Sequence, residues 1–256
     1  MRVLVTFAVE AEFAPWRKLR NLSSREINGI TVHEAMIGRA AVDFVVSGMG
    51  LENAQSATTA VLTKSHDFCI AAGFAGALRP QLKPGTVMVS EAVQLLGKSE
   101  TLTCGRGLTL NAWEQKAVRA RLLLTSDHIV RTVEEKAQLA PFAEFVDMES
   151  FGVLSAAQKC GRPAVAIRVI SDSDDKELPM DLDMTVNEKG KIRLGGVLLY
   201  LGRHPMQLPA LFRLGRDSRI AALSLANFLE AYIKKLSLFT HGWFPDGEGL
   251  EEVAAR

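Results

Sequence analysis

The chain has 256 residues, with 30 lysines and arginines against 29 aspartates and glutamates and a formal net charge of +1. Hydrophobic residues at 48% and charged residues at 23% describe an ordinary soluble mixture with enough apolar side chains for a large core. The near-neutral balance excludes a general electrostatic pull toward nucleic acid. Cys69, Cys104 and Cys160 lie far apart and form no CxxC pair, which argues against a disulfide framework or zinc site and for a reducing, cytoplasmic setting. No metal and no cofactor are expected. The opening run reaches Glu10 too soon for a signal peptide, and no uncharged stretch approaches the ~20 residues of a membrane span.

Residues 3–8 are a β-branched run without polar alternation, the pattern of a strand buried on both faces. A helix over 11–19 follows. Residues 44–46 form a second strand, closed by Ser47-Gly48-Met49-Gly50, and 51–64 read as a helix. The next strand, 68–72, runs into Gly73-Phe74-Ala75-Gly76. Another, 87–89, follows the turn Lys83-Pro84-Gly85. Helices are expected over 112–120, 132–138 and 149–159, the last stopped by Gly161 with Pro163 beyond it. A final strand covers 164–170. This alternation predicts a three-layer α/β fold, a mainly parallel central sheet flanked by helices.

No internal repeat or low-complexity linker interrupts this part, so one domain over 1–236 is expected. Residues 174–191 read as a polar, turn-rich mobile loop, 194–236 as a helical, basic and amphipathic extension, and 237–256 as a loose tail. In that extension Arg203, Arg213, Arg216 and Arg219 stand among Leu201, Met206, Leu208, Leu211, Phe212 and Leu214. Such a segment suits an anionic membrane surface or an apolar substrate tail, and more ordinarily a helix packed on the domain with a solvated basic face.

In parallel sheets ligands gather beyond the carboxyl ends of the strands. That rule selects Glu10 and Glu12, the two glycine-rich segments, and Ser171-Asp172-Ser173-Asp174-Asp175. Glycine turns let backbone N–H groups approach a ligand, though each by itself is also an ordinary strand–helix connection. The acidic cluster by itself also suits a solvated loop. GxGxxG and Walker A motifs are missing, which excludes dinucleotide binding and nucleoside triphosphate hydrolysis of those types.

Phe145-Val146-Asp147-Met148-Glu149-Ser150, followed by Ala166-Ile167-Arg168-Val169-Ile170-Ser171-Asp172, resembles the signature of the nucleoside phosphorylase and nucleosidase superfamily. The likeness extends in register to Ala8-Val9-Glu10-Ala11-Glu12, Ser47-Gly48-Met49-Gly50-Leu51-Glu52-Asn53-Ala54 and Gly73-Phe74-Ala75-Gly76-Ala77-Leu78. Within the superfamily the chain is most similar to the methylthioadenosine/S-adenosylhomocysteine nucleosidases. Its C-terminal part resembles the hopanoid-associated nucleosidase/phosphorylase group, which is thought to act on adenosylhopane.

The resemblance implies a nucleoside phosphorylase-like fold and cleavage of the N-glycosidic bond of an adenine-type nucleoside. Asp172 is implied as the acid at purine N7, with its pKa raised by burial or by Asp174 and Asp175, and with Ser171 orienting it. Glu149 is implied to grip the ribose hydroxyls, with Met148 against the ribose face, and Glu12 to activate water beside Arg168. Gly48, Met49, Gly73, Phe74 and Ile129 complete the implied substrate site. The implied partners are a purine nucleoside, phosphate in the phosphorylase alternative, and a second copy of the chain in a homodimer. Nucleic acid is not among them, and residues 201–219 are the expected membrane contact.

Three positions depart from the pattern. Phe74 stands where many nucleosidases have serine, and Ile129 where an aromatic ring usually stacks on adenine. Ala71 occupies the phosphorylases' arginine position, leaving Arg168, and as a guess Arg39, to anchor phosphate. Glu12 would also repel an anion, which favours water. A non-catalytic nucleoside-binding protein is the remaining alternative; the presence of Glu12, Glu149 and Asp172 argues against it.

Overall fold

The structure is a computed structural model that describes residues 1–175 and 208–238. Its elements run β1 (Arg2–Phe7), α1 (Glu10–Leu19), β2 (Ser23–Ile27), β3 (Ile30–Ile37), β4 (Ala40–Val46), α2 (Leu51–Val61), β5 (Phe68–Ala77) and β6 (Val87–Leu95). They continue with β7 (Thr101–Thr103), α3 (Arg106–Glu114), β8 (Val118–Thr125), α4 (Val133–Leu139), β9 (Phe145–Asp147), α5 (Ser150–Lys159), β10 (Ala164–Asp172) and α6 (Leu208–Leu236).

All but the first residue of β1 and all but the last of β10 are buried. Their unbroken apolar runs reflect a sheet covered on both faces. Helices α2 and α5 pack together, while α6 packs on α1 and α3 and lies against β10 and β5. Tyr232 and Arg20 fasten α6 from two sides: the Tyr232 hydroxyl donates to Leu108 O at 2.9 Å, and Arg20 pairs with Glu230.

The sheet has an unusual plan. β10 pairs with β6 and also with β5, so β5, β10, β6, β8 and β9 close into a ring, from which β1, β4, β3 and β2 extend as an open wing. Five of the ten pairings among the described residues are parallel and five antiparallel. The helix-flanked α/β arrangement agrees with expectation, and the strand directions are mixed rather than mainly parallel. The antiparallel pairings are the hairpin β2–β3 and its neighbour β4, the ring contacts β10–β6 and β5–β9, and the short strand β7 on β6.

Two other expectations need correction. The predicted helix over 112–120 is in fact the end of α3 followed by β8: α3 stops at Glu114, and Lys116 at φ +72° turns the chain into the strand. The β5 strand does not end at residue 72 in a glycine turn but continues to Ala77. In the extension, residues 194–207 lie outside the described residues, as do most of the predicted loop 174–191 and the tail from 239 onward. Among the described residues no helix is long and apolar enough to cross a membrane.

Candidate active site

The site forms where β5 changes partners. One edge of β5 stays with β10 throughout, while its other edge pairs with β1 up to Ala71 and with β9 only from Gly76. The intervening backbone has no strand on that side, so its N–H groups need other acceptors. Glu12, at the start of α1, supplies one: its Oε1 accepts from Phe74 N at 2.7 Å. Its Oε2 accepts from Ala8 N at 2.7 Å and Val9 N at 3.0 Å, the free donors ahead of the helix. Burial pushes the Glu12 carboxyl up, opposed by Arg168 and by these three N–H groups. Gly73 is what lets this happen. A Cβ there would fall on Arg168 Nη1 and 2.8 Å from Glu12 Oε1, with φ at +153°.

Arg168 lies opposite Gly73 in β10 and is buried behind the cleft. Its Nη2 pairs with Asp147 at 2.8 Å, its Nη1 faces Glu149 at 3.4 Å, and its Nε donates to Ser150 Oγ at 3.1 Å. Asp147 is held in turn by Thr125 Oγ1 at 2.7 Å and by Ser150 N at 3.1 Å. Glu149 Oε1 accepts from Gly50 N, the head of α2, at 2.9 Å. Burial, with Asp147 and Glu12 close by, pushes Glu149 up to about 7 despite Arg168. Glu12, Asp147 and Glu149 thus share the one guanidinium of Arg168.

Asp172 ends β10 across the cleft. Ser171 is an extra residue in the β10–β5 register, a bulge that re-aims the strand end. Ser171 Oγ donates to Asp172 Oδ1 at 3.0 Å. The other oxygen, Oδ2, meets the ammonium of Lys136 at 2.6 Å. A buried cation from α4 thus faces Asp172, a neighbour that the expectation built on Asp174 and Asp175 did not include.

These groups surround a cleft of about 270 Å³. Glu12, Glu149, Asp172, Met148, Ser171, Ile129, Phe74 and Met49 all line it. Arg168 and Gly73 stand directly behind the wall. Gly48 is set back too, its N–H donating to Ala8 O at 3.0 Å. Arg39 sits in the turn before β4, at the opposite end of that strand from the cleft, and Ala71 is fully buried between β1 and β10. His128 borders the cleft, held between Asp127 at 2.7 Å and Glu135 at 2.6 Å, which raise its pKa.

Sequence reasoning missed Lys136, the supporting contacts of Asp147, Thr125 and Ser150, and Ser218, which with Leu214 brings α6 to the cleft. The signature placed Asp147 and Ser150 in view without showing their task. Lys136, 36 positions from Asp172, gave no local signal.

Comparison with known proteins agrees with this architecture. The family described as "Phosphorylase superfamily" matches residues 2–201. A 5'-methylthioadenosine/S-adenosylhomocysteine nucleosidase of Shewanella halifaxensis is 23% identical over 216 residues, covering 74% of this chain and 94% of that protein. One from Marinomonas sp. is 28% identical over 162 residues, 54% of this chain and 70% of that protein. Among solved structures, the nucleosidase of Neisseria meningitidis with methylthio-immucillin-A superposes with a TM-score of 0.70 at 20% identity, covering 91% of this chain and 99% of that one. The Colwellia psychrerythraea enzyme with adenine gives 0.71 at 22%, covering 92% and 96%.

Proposed function

The chain belongs to the phosphorylase superfamily, and on that premise we propose that it hydrolyses the N-glycosidic bond of an adenine-type nucleoside carrying a modified 5' position. The observation that carries the proposal is the convergence of Glu12, Glu149 and Asp172, from three distant segments, on one largely apolar cleft. Bond cleavage leaves positive charge on the ribosyl group and negative charge on the base. Glu149 accepts hydrogen bonds from the ribose hydroxyls and sets its charge beside the developing cation. Glu12 takes a proton from the attacking water, and Asp172 delivers one to N7 so that the base leaves neutral. The logic is that of two-carboxylate glycoside hydrolysis.

Phosphorolysis is the competing reading. It needs cations at the nucleophile's side, and among the described residues lining the cleft the one basic side chain is His128. A phosphate dianion would meet Glu12 there, which supports water. The test is adenine release from a panel of 5'-modified adenosines, with and without phosphate. Release independent of phosphate is expected. Strict phosphate dependence establishes a phosphorylase, and tight binding without turnover establishes a binding protein.

The same reading extends to a homodimer and to a lipid-linked nucleoside met at a membrane surface. On α6, Phe212, Arg213, Arg216 and Arg219 are exposed beside Leu214 at the cleft; the remainder of 201–219 before residue 208 lies outside the described residues. Anionic liposomes at low salt are expected to retain the protein, and failure to do so ends the membrane part alone.

A further inference from the structure

We propose that Lys136 supplies the proton that Asp172 passes to the leaving base, an inference that rests on the hydrolase reading above and deepens it. The Lys136 side chain is 1% exposed, and its Nζ lies 2.6 Å from Asp172 Oδ2 and 2.8 Å from Ser173 O. Its position is fixed by the element that carries it. Thr132 caps α4 by accepting from Glu135 N at 3.1 Å, and Glu135 also accepts from Arg131 N at 3.2 Å. A buried ammonium is costly, and a position that needed only bulk would be filled better by an apolar chain.

The contact also decides the chemistry. In this contact Nζ is the donor and Asp172 Oδ2 the acceptor, so the hydrogen between them belongs to the lysine. The proton is therefore stored one atom further back, on Nζ. As the C1'–N9 bond breaks, its electron pair moves onto the base and N7 gains basicity. Nζ then gives a proton to the Asp172 carboxylate, and the carboxyl gives one to N7. The water oxygen bonds to C1' and its proton goes to Glu12. Lys136 ends as a neutral amine and Glu12 as a neutral acid, and exchange with solvent restores both. Ser171 helps to free an oxygen for N7: its single hydroxyl hydrogen has two acceptors, Asp172 Oδ1 at 3.0 Å and Ala75 O at 3.5 Å. Lys136 is thus a positioning residue that works through Asp172.

Other charged groups border the pair. Asp174 and Asp175 follow it in the chain; Asp127, His128 and Glu135 lie on the loop and helix beside it, with Arg131 between them. Across the cleft stand Glu12, Asp147 and Glu149 with Arg168. Of these, His128 is the competing source of an alkaline limb, because its pKa is raised by Asp127 and Glu135.

The test is the pH profile of kcat for adenine release by the full chain and by Lys136→Met, Lys136→Arg and His128→Gln. A lone carboxyl works as an acid only while protonated, so Lys136→Met should approach the wild-type rate near pH 5. It should fall about 10²- to 10³-fold behind near pH 8. Lys136→Arg keeps the cation but arginine does not give up its proton, so it should follow Lys136→Met at pH 8. His128→Gln should leave the alkaline limb where it is. Equal slowing of Lys136→Met at every pH, or recovery of the limb by arginine, overturns the relay. So does a limb that moves with His128. Melting curves show which variants are folded, and Lys136→Gln replaces Lys136→Met if the latter is not. A wild-type chain that releases no adenine from any substrate refutes the hydrolase reading itself, an outcome distinct from an active enzyme with an unshifted profile.

Discussion

Glu149 accepts a hydrogen bond from Gly50 N and faces Arg168, yet burial beside Asp147 and Glu12 still drives its carboxyl from 4.5 up to about 7. Two opposite pH trends follow. Between those values the folded chain holds a proton that the unfolded chain has released, so this group favours the fold most below pH 4.5 and that contribution is lost as pH rises through about 7. Activity runs the other way, because the ribose hydroxyls need the anion: kcat/KM should climb with pH through about 7 and level off above it. Melting temperatures and kinetics measured over that window should diverge. Glu149→Gln should flatten the stability slope while lowering kcat/KM by about 10²- to 10³-fold; a slope unchanged in this variant would assign it to another group. Asp172→Asn keeps the shape of the side chain but removes its ability to relay a proton. Its kcat should fall about 10²- to 10⁴-fold with KM changed only a few-fold. Normal adenine release by this variant would remove Asp172 from the chemistry. Both carboxylates were legible in the sequence because each sits in a contiguous signature. Lys136 was not, since Val133-Glu134-Glu135-Lys136 has the look of any solvated helix start and only the fold shows the lysine turned inward.

Helices α2 and α5 meet at Gly152, where an added Cβ would lie 2.5 Å from Leu51 O and 3.2 Å from Gln55 N. Both neighbours are backbone, so relief requires the helices to separate. That separation matters to the cleft, because Gly50 N heads α2 and Glu149 immediately precedes α5, and the 2.9 Å bond between them spans the interface. Gly152→Ala should destabilise the chain by about 1–3 kcal/mol, as overpacking does, and should raise KM through a displaced Glu149. A thermal melt and a KM measurement check the two together. An unchanged melting temperature would mean that the interface yields freely. The elements legible in the sequence were those that local pattern decides: β1, β5 and β10 as continuous apolar runs, α2 as a helix after a glycine-rich segment, and α5 as a helix closed by Gly161. The hairpin β2–β3 escaped because Ser23–Ile27 is an exposed, polar edge strand with few apolar residues to betray it. β8 escaped because Ala120, Arg121 and Leu122 suit a helix as well as a strand, and pairing to β6 and β9 overrides that preference.

At the scale of the molecule, the closure of five strands into a ring links the cleft to global stability, since β5, β9 and β10 both complete the ring and carry site residues. No local pattern announces that closure, which depends on β10 finding both β5 and β6. The cysteines make it measurable. Cys69 is fully buried in β5, between Leu4 of β1 and Ala164 of β10, and burial pushes its thiol far above the usual range. Cys104 is 7% exposed, and burial pushes its thiol up to about 12. Cys160 is only half-buried at the end of α5. Alkylation requires the thiolate and access, and burial withholds both from native Cys104 and Cys69. Labelling should therefore proceed in the order Cys160, then Cys104 as α6 lifts, then Cys69 as three strands part. A nucleoside analogue that binds only the folded chain adds RT ln(1 + [L]/Kd) to the cost of opening the ring. It should slow Cys69 by the factor 1 + [L]/Kd while leaving Cys160 nearly unaffected. Mass spectrometry of time-quenched samples reads all three sites at once. Cys69 labelled as fast as Cys160 would mean that the ring opens locally, and protection of Cys160 alone would place the ligand away from the cleft.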